Sequence, residues 1–392
     1  MNGLVYKNKN ILIALWVLYF LQSMKFAYLW LVPGGVFGIL ILLISLISIH
    51  ISNVSRWVSL IFLGLLTFAL SYDYNTIYEA INILVLPLDI AFLVIMPWKF
   101  KRDLIFATRN TFFYIFVFSL PFFLLYQIGL DVFNIGPFEY NLTYYGTHHL
   151  FFLYQPYYGI RYSSLFCEPG HIGMILSLLL YCLNYDLHNK KNLYLLINLL
   201  FTLSLAAYVL GFLGFILLKL KKSNLSIVKI ISSVVALLFI IYLLSNIPVV
   251  NELIFSRLAI DSDSNTIAGD NRINYNAAMY FSTITFKEFF WGIGSKVMDE
   301  NNIAGTGFYI HVMRYGLVSV ILIFIYYLKL LRSNVLSFST VSLFLLYIFS
   351  FYQRSYALWA CELILFVSYI SYSNFLYNGK DKIYNNHSKQ KQ

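Results

Sequence analysis

The sequence predicts an all-α polytopic membrane protein, on three observations. Hydrophobic residues make up 60% of the 392-residue chain and charged residues only 11%, whereas soluble domains carry roughly a quarter charged residues. The mean hydropathy is +0.73, and the apolar residues are gathered into about eleven long runs separated by short basic clusters. About twelve spans of about 20 residues would use roughly 240 positions, which leaves too little chain for a separate soluble domain and excludes a water-soluble enzyme. In a bilayer that already solvates Leu and Ile, packing and internally satisfied polar groups must hold the bundle, so polar residues inside runs become informative.

The runs fall at about 11–31, 35–51, 57–72, 77–97, 105–130, 169–187, 192–220, 227–248, 307–328, 335–351 and 356–378. The first run continues past Phe26 without a small-residue cleavage site, so it reads as a retained span. Cytoplasmic loops keep Lys and Arg, so Lys7/Lys9, Arg56, Lys99/Lys101/Arg102, Lys190/Lys191, Lys219/Lys221/Lys222, Lys329/Arg332 and Lys380/Lys382 mark the inside, with both termini cytoplasmic. The net charge of +10 is thereby a topology signal, and no nucleic-acid partner is expected. Only the run 192–220 lies between two clusters that both want the inside, so it must enter and return. Two full spans need about 40 residues; the run therefore reads as a pair of short helices meeting near Ser204, with Gly211 and Gly214 easing close packing. That brings the total to about twelve crossings.

Residues 1–380 thus form a single transmembrane domain with two long outer-face loops, about 131–167 and 249–306, and 381–392 form a polar cytoplasmic tail. Cys167, Cys182 and Cys361 have no zinc or disulfide spacing and read as free thiols. No acidic cluster asks for a metal, and no cofactor is expected.

Three segments can carry chemistry. In the first, Arg161 and His171 bracket Glu168-Pro169-Gly170 where the first outer loop enters a span. Pro169 suits a first helical turn and Glu168 the positive end of the helix dipole; with Arg161 and His171 the carboxylate makes a group able to hold an anion and pass a proton. The loop before it is rich in tyrosine, including Tyr157, Tyr158 and Tyr162, with His148 and His149. In the second, Gly269-Asp270-Asn271-Arg272 precedes an amphipathic stretch ending in Phe289-Phe290-Trp291-Gly292-Ile293-Gly294. Two outer guanidiniums can clamp a diphosphate bidentately where a lysine acts as a point charge. In the third, Gly305-Thr306-Gly307-Phe308 leads into a span carrying His311 and Arg314, three apart on one helix face. Asp89 and Glu362 stand inside spans with no partner visible in sequence.

Taken together these features resemble the O-antigen polymerase (Wzy-type) family, which is related to the O-antigen ligases. The resemblance rests on Arg161 with Ser164-Leu165-Phe166 and Glu168-Pro169, the short span pair after them, Arg272 followed by the Phe-Trp-Gly-Ile-Gly run, and Thr306-Gly307-Phe308 to Tyr315-Gly316. It covers most of the chain in order and spacing. An Arg-x10-Gly spacing found in some members is not met, and a His-Asn pair usual in the ligase branch is replaced by Gly305-Thr306, which favours polymerase over ligase. The resemblance implies a GT-C-type membrane glycosyltransferase of the bacterial inner membrane. It would join undecaprenyl-diphosphate-linked oligosaccharide units at the outer face, with a chain-length co-polymerase and a flippase as partners. It further implies Arg161, Arg272 and Arg314 on the diphosphate, Glu168, His171 or His311 as base or orienting group, and Tyr157, Tyr158 and Tyr162 as sugar-stacking residues. A lipid-linked oligosaccharide flippase, or an O-antigen ligase, is the alternative.

Overall fold

The computed structural model describes residues 8–48, 54–73, 77–130, 133–140, 143–221, 260–261, 266–267, 274–305, 307–332 and 336–371. The run at 227–248, the tail 381–392, Arg272 and Thr306 lie outside them.

The chain is mostly helical, and helices follow the apolar runs. They are α1 (Lys9–Ser23), α2 (Gly34–Ser48), α3 (Val54–Ser71), α4 (Ile77–Ile95) and α5 (Trp98–Gln127). Next come α6 (Pro169–Cys182), α7 (Lys190–Phe201) and α8 (Leu205–Lys221). Three short helices follow, α9 (Tyr275–Thr283), α10 (Phe286–Trp291) and α11 (Gly294–Glu300). The last three are α12 (Phe308–Arg332), α13 (Phe338–Gln353) and α14 (Ala360–Ser371). Two of them, α5 and α12, are long and apolar enough to cross a membrane; the other apolar helices are shorter.

Helix α6 is the axis of the bundle: every residue from Pro169 to Cys182 is buried. Small residues bring its neighbours close. A Cβ on Gly173 would meet the Ala207 Cβ at 2.7 Å and Thr202 Oγ1 at 2.9 Å, and one on Gly211 would meet Ser177 Oγ at 3.2 Å. Ser177 Oγ donates to Ala207 O at 2.8 Å across the same seam. This is the close backbone approach that glycine and serine allow between apolar helices. The pairing of α7 with α8 matches the broken helix pair expected over 192–220. The break is the turn 202–204, where Leu203 adopts φ 45°.

The bundle has two unlike ends. At one, basic side chains gather: Lys9 pairs with Asp103, Lys101 Nζ donates to Val94 O and Ser371 Oγ at 2.8 Å each, and Lys191 Nζ donates to Asn110 Oδ1 at 2.9 Å. The loops that carry the sequence motifs meet at the other. The first interhelical loop is tied there by Ala27 N–H to Leu165 O at 2.8 Å and by Tyr28 OH to Leu150 O at 2.6 Å.

One departure from an all-α fold lies in the tyrosine-rich loop. It folds into an antiparallel sheet of β1 (Asn134–Tyr140), β2 (Thr143–His149) and β3 (Leu153–Tyr154). A further short pair, β4 (Ile260–Asp261) with β5 (Thr266–Ile267), lies in the second long loop. Strand-favouring Ile135, Phe138, Tyr140, Thr143, Tyr144, Tyr145 and Thr147 supply the hairpin, and none of it forms an apolar run of span length.

Candidate functional site

Glu168 caps α6 in extended conformation (φ −144°, ψ 116°), with Pro169 in the first turn. Its carboxylate forms an ion pair with Arg354, which stands just past the end of α13. Tyr356 closes the group: its hydroxyl donates to Glu168 Oε2 at 3.4 Å and accepts from Arg354 Nη1 at 3.3 Å. Gly170 is what admits the guanidinium, because a Cβ there would lie 2.8 Å from Arg354 Nη2. Burial works against the Arg354 charge, yet the facing carboxylate outweighs it and raises the pKa above its ordinary value. Burial and then the same carboxylate push the Tyr356 and Tyr158 phenols up.

Arg161 lies beside this group without being the main partner of Glu168. Its Nε donates to Thr202 O at 3.3 Å, at the tip of the α7–α8 hairpin, and its guanidinium sits 5.5 Å from the Tyr158 ring centre. Tyr158 feels Glu168, Arg354 and Arg161 together, so the two guanidiniums share one neighbourhood. The expected bracketing of Glu168 by Arg161 and His171 is therefore replaced by direct pairing with Arg354. His171 is 4% exposed and packed edge-on against Tyr356 and Trp359, with ring centres 5.0 and 4.8 Å away.

A second carboxylate–guanidinium pair forms where the other two motifs meet. Asp73 follows α3; Arg314 Nη1 lies 3.7 Å from its Oδ2, Tyr315 OH donates to the same oxygen at 3.1 Å, and Ser295 Oγ donates to Oδ1. Glycine makes this junction. Gly316 interrupts α12 at φ 81°, and a Cβ on it would stand 2.2 Å from Phe290 O, while one on Gly292 (φ 78°) would stand 2.4 Å from Arg314 O. Main chain lies directly on main chain, pinned by Ile293 N–H to Met313 O at 2.7 Å. A cavity of about 410 Å3 opens here between Tyr72, Asp73, Trp291, Gly294, Arg314 and Tyr315. A neighbouring cavity of about 260 Å3 reaches from Tyr72 to Lys25 and Trp359, so Tyr72 lines both.

His311 is not directed at either carboxylate. It is 5% exposed, its Nε2 lies 2.9 Å from Ser319 Oγ, and Ser319 Oγ in turn donates to Gly316 O at 3.1 Å. The ring thus braces the break in α12. Tyr162 corrects a further expectation: at 1% exposure its ring packs on Phe116 and Phe123 with its hydroxyl turned to Ser119 and Ser164, where no sugar reaches it. Tyr157, 81% exposed, and Tyr158 remain at the surface of the site. His149 stacks on Phe152 at 4.3 Å, and burial, then its neighbour His149, lower the pKa of His148, so this histidine pair belongs to an aromatic cluster.

Reading the sequence missed Arg354, Lys25 and Asp73. The signal was available for Arg354, since a basic residue between spans on the side opposite the Lys/Arg clusters is the anomaly that singled out Arg161; Lys25 was hidden inside the run read as 11–31. No family model, no curated protein and no solved structure matches the chain.

Proposed function

We propose that this protein is a polytopic membrane glycosyltransferase of the O-antigen polymerase type. In this reading it joins lipid-diphosphate-linked oligosaccharide units at the face of the membrane opposite its basic end. The observation that carries the reading is the convergence of Arg161, Arg354 and Arg314, with the carboxylates Glu168 and Asp73, on one end of an apolar bundle. The basic clusters at the other end support a cytoplasmic assignment for it.

The chemistry follows from the donor's own leaving group. An acceptor hydroxyl attacks the anomeric carbon, the bond from that carbon to the phosphate oxygen breaks, and the lipid diphosphate departs with the electron pair. Guanidiniums stabilise the charge that develops on it. Glu168 accepts the hydroxyl proton. In the resting state Arg354 holds that carboxylate; an arriving diphosphate competes for Arg354 and frees Glu168 as a base only when donor is bound. Arg272 from the second loop and Arg314 from the start of α12 contribute charge, and Tyr157 and Tyr158 offer ring faces to the glycan. His171 and His311 act as positioning residues.

The test is a surface-polysaccharide gel from a deletion strain complemented with wild type, Arg161→Ala, Glu168→Ala, Arg354→Ala or Arg272→Ala, with protein levels matched. A single repeat unit on deletion, a ladder restored by wild type and its loss in the variants are expected. Accumulation of lipid-linked units inside the cell, with no repeat at the surface, would instead identify a flippase.

A further inference from the structure

The smaller cavity is not used by the chemistry above. It encloses about 260 Å3 among the end of α1, the start of α2, α4 and the turn before α14, with Lys25, Tyr72, Asn82 and Trp359 in its wall. That volume falls below the roughly 300–1,000 Å3 of pockets for drug-sized ligands, which leaves room for one ring and not for a chain. The wall is mixed in character. Tyr19, Phe68, Tyr72 and Trp359 stand beside aliphatic and polar side chains, and the buried Asn82 Oδ1 meets no donor among the described residues.

Lys25 supplies an independent observation. It occupies the left-handed region, φ 56°, directly after α1, in a turn closed by Lys25 N–H to Gln22 O at 2.9 Å and Phe26 N–H to Leu21 O at 3.2 Å. Glycine is the ordinary residue at such a helix end. Here the position carries a lysine whose ammonium lies 5.2 Å from the Trp30 ring centre and 5.8 Å from that of Trp359. Among the described residues no carboxylate pairs with it. Indole faces hold a cation without neutralising it, so the charge at the cavity mouth is left for an anion.

We infer that this cavity binds an anionic monosaccharide unit, a pyranose carrying a carboxylate or a phosphate. The ring lies against Tyr72 and Trp359, a hydroxyl donates to Asn82, and the anion meets Lys25. The inference rests on the glycan chemistry proposed above and names the sugar class that this chemistry selects. A lysine acts as a point charge and accepts either anion.

Purified full-length protein in nanodiscs is titrated with glucuronate, glucose 1-phosphate, glucose and inorganic phosphate, followed by tryptophan fluorescence. At least one of the two anionic sugars is expected to bind about tenfold or more tightly than both glucose and phosphate, as a hydrogen bond to a charged group warrants. The tighter of the two identifies the source of the anion. Lys25→Gly is expected to remove that preference while leaving the thermal midpoint unchanged or raised, since glycine relaxes the backbone; Asn82→Leu weakens all three sugars. Phosphate binding as tightly as the anionic sugars overturns the inference, as does a preference that survives Lys25→Gly or no saturable binding at all. No polymerisation is needed for this readout. A deletion strain that keeps its ladder therefore sinks the polymerase reading alone, and absent binding in a protein whose ladder phenotype holds sinks the cavity alone.

Discussion

The two carboxylate–guanidinium pairs differ in how they are held. Glu168 and Arg354 are 25% and 20% exposed, in direct contact, and share Tyr356. Asp73 and Arg314 are 28% and 34% exposed, 3.7 Å apart, beside a cavity of about 410 Å3. The first is built into the bundle axis through Gly170 and the α6 cap; the second hangs on a glycine junction and a short helical loop. A pair withdrawn from water contributes structure as well as chemistry, whereas a looser pair at a cavity contributes charge with little structural consequence. Substitutions should separate the two corners on that ground.

The largest effect is expected from Arg354→Ala, which strands a largely buried carboxylate. Stability should fall by about 2–3 kcal/mol, somewhat under the value for a fully buried pair, and the polysaccharide ladder should vanish. Thermal unfolding in detergent checks the first and the complementation gel the second. The double variant Glu168→Gln/Arg354→Met should recover most of the stability and none of the ladder. If it recovers both, the pair is structural only.

Gly316→Ala attacks the second corner through its backbone. A Cβ 2.2 Å from Phe290 O at φ 81° should lower stability by about 1–3 kcal/mol, visible as a lower thermal midpoint and faster protease cleavage within 274–305. An unshifted midpoint would show that the junction is not closed in the membrane. Asp73→Asn comes next: a stability change under about 1 kcal/mol with a clear fall in ladder intensity. Equal, large losses of stability from Asp73→Asn and Arg354→Ala would erase the distinction between the corners. The smallest effect belongs to Tyr162→Phe, which keeps the buried ring. Its buried hydroxyl meets no hydrogen-bond partner among the described residues, so stability should be unchanged or slightly raised, and the ladder should be unchanged; a shortened ladder would return Tyr162 to the sugar site.

Much of the bundle was legible because apolar runs and basic clusters carry it. The broken pair over 192–220 followed from length alone: Lys190/Lys191 and Lys219/Lys221/Lys222 left too few residues for two full spans. Glu168-Pro169-Gly170 was likewise legible as a helix start beside charge. The partner of Glu168 was not, because Arg354 stands 186 positions away (354 − 168) and only the packing of α13 against the bundle brings it near. Asp73 was lost for the same reason. The burial of Tyr162 escaped because a tyrosine in a polar loop reads as exposed until α5 lays Phe116 and Phe123 across it. The sheet at 134–154 escaped because its strand-favouring Tyr, Phe and Thr residues neither alternate cleanly nor form an apolar run, so neither period nor hydropathy marks it.

The glycine break in α12 has a mechanical meaning. Residues 308–315 form a short rod clipped by its main chain to the 290–293 turn, while the remainder of α12 runs on through the bundle beside α3. Arg314 therefore belongs to the same rigid piece as Trp291, not to the long pillar that follows it. Any displacement of the turn at 290–293 carries its guanidinium along, so the turn and the charge beside Asp73 travel as one part.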